Sequence, residues 1–85
     1  METKERKDAI ESAYCIFHQK LRVYAFSGSD SQKDEIECAV AAYAMGMDRE
    51  LYRKLSDGKE GFLLDHGTFM HDLEHAVSSL ETMMV

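Results

Sequence analysis

Residues 38–47 read CAVAAYAMGM. They carry no charge and no amide, and their polar side-chain groups are one phenol and one thiol. The run is rich in alanine and methionine, which suit a helix. A helix that is apolar all the way round must be covered on every side. The rest of this 85-residue chain is therefore read as what does the covering.

The chain has no proline and five glycines, and its apolar residues recur with helical period, so helices are expected and strands are not. Residues 2–26 are expected as one long helix of about 36 Å. Ile10, Ala13, Tyr14, Phe17, Leu21 and Tyr24 recur at steps of three and four and form its apolar stripe. Ile16 and Val23 lie to one side and widen that face beyond what one neighbouring helix requires. The residues 27–31, SGSDS, form a turn by composition and offer overlapping helix caps: Ser29 with Gln32, and Ser31 with Asp34.

A second helix is expected over residues 32–45. Ile36, Ala39, Val40, Tyr43 and Met47 make one face, and Cys38, Ala42 and Met45 make the opposite one. Its alanines should let partner helices approach closely, and Gly46 should stop it. Asp48 caps a short third helix, with Met47 and Tyr52 as a hydrophobic staple and Leu51, Tyr52 and Leu55 facing inward. Ser56-Asp57-Gly58 ends it. Phe62, Leu63 and Leu64 are too apolar for an exposed loop and should tuck under the domain. Asp65 then caps the last helix, with Leu64 and Phe69 as its staple. Phe69, Leu73, Ala76, Leu80, Met83 and Met84 are its expected buried stripe.

The expected architecture is a single all-α domain over residues 1–85: a bundle of three main helices plus one short one, with the Ala-rich helix central and buried. A domain this size buries only roughly 60–65% of the surface that its unfolded chain exposes, so its margin of stability is thin. A second subunit is one common remedy.

Two cysteines are too few for a disulfide framework. The charged opening METKERKDAIES lacks the apolar core of a secretory signal, and no apolar run is long enough to span a membrane. The expectation is a cytoplasmic protein with Cys15 and Cys38 as free structural thiols. The formal charge of −6 disfavours polyanions. Residues 34–85 hold eleven acidic residues against Arg49, Arg53, Lys54 and Lys59, which all fall within one short window.

Three features bear on chemistry. His66, His71 and His75 sit near the C-terminal end, and HDLEH over residues 71–75 has the spacing H-x-x-E-H of some zinc enzymes. On a helical wheel His71 and His75 fall with Ser78 and Thr82 on the outer side and Glu74 points away from both. The expectation is solvent-facing histidines, with no metal and no cofactor. Neither cysteine is placed beside a base that would activate it.

The third feature is the segment 40–59, VAAYAMGMDRELYRKLSDGK. Ala42-x-x-x-Gly46 followed by an apolar residue, Tyr52 and Leu55 fits the spacing of a helix-turn-helix. The words AMGMDRELYRKL resemble the recognition unit of factor-for-inversion-type bacterial regulators, with one residue fewer between Gly46 and Leu51. That resemblance, over about twenty residues, implies DNA binding in which Arg49 and Arg53 reach bases or phosphates and Lys54 and Lys59 hold phosphates.

The function expected from the sequence is a non-catalytic helical interaction or regulatory module that self-associates as a symmetric dimer. The motive is the doubled apolar faces, with Ile16 and Val23 on the first helix and Cys38, Ala42 and Met45 on the second. A further protein partner is compatible with the same faces. The competing class is the DNA-binding regulator. An enzyme ranks last, because no constellation brings a base, a nucleophile and a pocket together.

Overall fold

The structure, a computed structural model, describes the backbone of residues 3–84 and the side chains of residues 7–84. The described residues form an all-α bundle with no strand. Its helices are α1 (Thr3–Phe26), α2 (Asp30–Gly46), α3 (Arg49–Ser56) and α4 (Phe69–Met84), and a single 3-10 turn (His66–Thr68) leads into α4.

Helix α1 keeps the stripe read from its spacing. Ala13, Phe17 and Tyr24 are buried, and Ile10, Tyr14 and Leu21 pack half-buried against the same core. The first expected residue of this helix, Glu2, lies outside the described residues. The widest helix pairing is that of α1 with α4. On α4 the buried side chains are Phe69, Asp72, Leu73, Ala76, Val77 and Leu80.

Helix α2 starts two residues earlier than the spacing suggested. Ser29, and not Ser31, is its N-cap, in extended conformation with its hydroxyl accepting from the Gln32 amide at 3.4 Å. Ile36, Val40 and Ala44 are the buried residues of α2. Tyr43 meets the Phe17 ring edge-to-face at 5.4 Å. The core face is thus turned toward Ala44, and Ala39 is exposed. The opposite face is not covered within the chain: Cys38, Ala42 and Met45 are exposed. The Ala-rich helix, expected to be central and buried, instead packs chiefly against α1 and is buried along one side only. Close approach through its alanines is not what organises the bundle, since the α1–α2 contact is much smaller than α1–α4.

Asp48 caps α3 as expected, its carboxylate accepting from the Leu51 amide at 3.0 Å. Leu51 and Leu55 are buried beneath it, and Asp57 ends the helix in the left-handed region at φ 52.

The stretch 59–65 is where expectation and structure part most. Phe62 and Leu63 do tuck in, each 1% exposed. Leu64 does not; it is 51% exposed. The reason is the backbone. The Leu64 and Asp65 amides both turn back to the Gly61 carbonyl, at 2.8 and 3.1 Å, which throws Leu64 outward. Leu63 itself sits at φ 66, a conformation that costs an L-residue about 1–2 kcal/mol. Burying a leucine side chain gains about 1.5–3 kcal/mol, so burial wins. Asp65 caps the 3-10 turn, accepting from the Gly67 amide at 3.0 Å, and α4 begins only at Phe69. At its far end Met83 is half-buried, whereas Met84, expected in the buried stripe, is exposed.

Candidate functional site

The residues expected to mediate self-association are not all open to solvent. Val23 is 41% exposed and Met45 64%, while Ile16 is half-buried against the core. Cys38 and Ala42 are exposed between them in sequence. Phe26, the last residue of α1, is 85% exposed and was not among the expected residues. Its signal was present: it follows Val23 by three residues, which keeps it near that side of the helix. An open groove of about 530 Å³ runs past it, lined by His18, Gln19, Arg22, Val23, Phe26, Ser27 and Gln32. Both thiols are free and exposed, so neither is a core cysteine.

The four basic residues of residues 49–59 divide. Arg49, Arg53 and Lys54 are exposed on α3. Arg49 and Arg53 are one turn apart and share a face. Lys59 is taken elsewhere. Its ammonium donates to Asp72 Oδ1 at 2.6 Å and to Thr68 Oγ1 at 2.8 Å.

Asp72 is a residue that the sequence reading passed over. It is 1% exposed on the core face of α4. Besides Lys59 it accepts from the Leu63 amide at 3.0 Å and the Thr68 hydroxyl at 3.2 Å, both on Oδ2. A buried carboxylate needs such partners. This one fastens the strained turn at Leu63 to the last helix. The signal for it was its position: Phe69, Asp72, Leu73, Ala76, Val77 and Leu80 are spaced as one stripe, with a carboxylate inside it. Tyr52, on α3, donates to the Phe62 carbonyl at 2.7 Å and holds the other side of the same turn. Its phenol pKa is raised, first by burial and then by the negative charge of Asp72, with Arg49 opposing.

The three C-terminal histidines do not gather. His71 and His75 are exposed on α4, as the wheel placed them. His75 meets the Phe62 ring edge-to-face at 6.1 Å. His66 turns to α2 instead. Its Nδ1 lies 2.8 and 2.9 Å from the two carboxylate oxygens of Glu37. Tyr24, reaching across from α1, donates to Glu37 Oε2 at 2.8 Å. Burial, then this hydrogen bond to Glu37, pushes the Tyr24 phenol up to about 12. The Glu37 hydrogen bond and charge raise the His66 pKa, some loss of hydration opposes them, and the charges of Asp34 and Asp65 add to the rise. Lys33 stands over the Tyr24 ring, 5.6 Å from its centroid. Glu37 thus joins three elements at one end of the bundle. Nothing in local sequence spacing announces a contact between residues 29 apart.

No helix among the described residues is long and apolar enough to cross a membrane. In comparison with known proteins, no family model, no curated protein and no solved structure matches this chain.

Proposed function

We propose that this chain is a non-catalytic helical interaction module that self-associates through the outer side of α1 and α2. One observation carries the reading. Val23 and Phe26 are left 41% and 85% exposed near the C-terminal end of α1, and Met45 is left 64% exposed on α2, with the small residues Cys38 and Ala42 on the same face of that helix. Large apolar side chains left open in this way are candidates for contact with a partner. Small side chains let a second helix approach closely. A symmetric dimer would present the same patch twice.

Sedimentation equilibrium across micromolar concentrations tests it. The expected result is a dimer of the 9.7 kDa chain that Val23→Glu together with Met45→Glu converts to monomer. A clean monomer for the wild-type chain at these concentrations overturns the reading.

The DNA-binding reading is favoured by one feature, the exposed pair Arg49 and Arg53 on one face of α3. Against it stand the acidic chain, the capture of Lys59 by Asp72, and an α3 only eight residues long. Phosphate contacts supply most non-specific affinity, and their number sets the salt dependence. Fluorescence anisotropy with duplex DNA at two salt concentrations separates the two readings. Binding that falls steeply with salt and is abolished by Arg53→Glu favours the regulator, and absence of binding at low salt removes it.

A further inference from the structure

Among the described residues, Asp34, Glu37 and His66 bring one imidazole nitrogen and two carboxylate oxygens within 4.8 Å of one another. Asp34 and Glu37 are three residues apart on α2 and so share an edge of that helix. His66 comes from the turn before α4, 29 residues further along the chain. The donor set is mixed and is drawn from two elements, which separates it from an ordinary acidic helix edge.

We propose that Asp34, Glu37 and His66 form a three-ligand site for a divalent transition-metal ion, with zinc the best fit, that ties α2 to the turn preceding α4.

Zinc takes imidazole and carboxylate ligands at about 2.0–2.2 Å, and a site with three protein ligands leaves its fourth position to water. Donors around a tetrahedral ion at that bond length lie about 3.3 Å apart. His66 Nδ1 and the Glu37 oxygens are already at 2.8 and 2.9 Å, so that pair opens slightly to admit an ion. Asp34 closes the remaining gap by rotating an exposed side chain. The imidazole disfavours calcium and magnesium, which are hard cations that prefer oxygen ligands.

The surroundings supply support of the kind metal ligands use. Tyr24 is 9% exposed and donates to Glu37 Oε2 at 2.8 Å, orienting the carboxylate from the core side. Asp65 accepts from the Gly67 amide and fixes the turn that presents His66. Asp30 lines the same concavity, of about 310 Å³, together with Lys33, Asp34 and His66, and its carboxylate adds negative charge there. The Lys33 ammonium, which opposes a cation, is drawn over the Tyr24 ring. The ion replaces the proton on His66 Nδ1, and that proton leaves to solvent. His71 and His75, which carry the familiar motif spacing, take no part.

The test is isothermal titration of the chelator-stripped full chain with zinc chloride, paired with thermal melts with and without the metal. The expected result is one saturable site per chain and a rise in melting temperature when zinc is present. His66→Ala and Asp34→Ala each weaken binding by more than roughly tenfold, and Tyr24→Phe weakens it by about tenfold through loss of the orienting phenol. His66 and Asp34 are exposed, so circular dichroism should show both variants folded. Binding is unchanged in His71→Ala with His75→Ala, and in Cys15→Ser with Cys38→Ser. No saturable binding by the wild-type chain overturns the proposal. So does full-strength binding by His66→Ala, or loss of binding in the thiol or His71/His75 variants.

Discussion

Asp72 shows how much one buried group organises. Its carboxylate meets the Lys59 ammonium, the Thr68 hydroxyl and the Leu63 amide, and it is 1% exposed. Asp72→Ala leaves the Leu63 amide without its acceptor and should destabilise the fold by about 2 kcal/mol or more, measured by urea unfolding. Asp72→Asn keeps an acceptor and should lose less. Leu63→Gly tests the balance at φ 66. It releases about 1–2 kcal/mol of backbone strain. It also removes a side chain whose truncation in a core costs about 2–5 kcal/mol, so the variant should be less stable than wild type. Tyr52 contributes a pH dependence of definite sign. Its folded pKa is raised above the ordinary 10.0. A raised folded value means that the folded state holds the proton more tightly. The contribution is complete below about pH 10 and is lost as pH rises through the folded value. Tyr52→Phe should flatten the fall in stability above pH 10, seen in urea titrations at stepped alkaline pH.

The two faces of α2 and the inner face of α1 make the contrast at the scale of the element. Phe17 is fully buried and meets Tyr43 edge-to-face. Phe17→Ala should cost about 3–5 kcal/mol. Met45→Ala, on the outer face of α2, should change the intrinsic stability of the single chain by no more than about 0.5 kcal/mol. Chemical denaturation at dilute protein concentration measures both. If Met45→Ala proves as costly as Phe17→Ala at high dilution, Met45 is covered within the chain. The elements themselves were legible. The caps Ser29 and Asp48 and the stripe through Ala13, Phe17 and Tyr24 all follow from local spacing. The rotation of α2 toward Ala44 was not, because alanine is small and uncharged on both edges of that face. Periodicity cannot choose between two equal edges; the packing partner chooses.

The whole molecule is elongated, with extents of 41 × 23 × 19 Å. Its radius of gyration is 12.5 Å, slightly above the roughly 11.9 Å expected for a compact chain of this length. One long helix sets that shape, and it leaves the outer side of α1 and α2 without a layer above it. If that side pairs with a second copy, stability depends on concentration. A tenfold rise in protein should then add about 0.7 kcal/mol per chain, a melting-temperature rise of about 3 °C or more. A melting temperature constant over a hundredfold range would show that the fold does not depend on association.

By itself, the sequence determined the helices, most of their ends and the inner stripes of α1 and α4. Each rests on interactions within a few residues: caps, period and the stop at Gly46. The tertiary structure alone decided three things. It brought Glu37 to Tyr24 and His66. It committed Lys59 to Asp72. It turned one side of residues 38–47 outward, where Cys38, Ala42 and Met45 stay exposed. These depend on how segments far apart in the chain close on each other, and no local period encodes that. A run that is apolar on all sides states a need for cover. Which side the chain covers is settled by how α2 packs against α1, the helix that pairs most widely with α4.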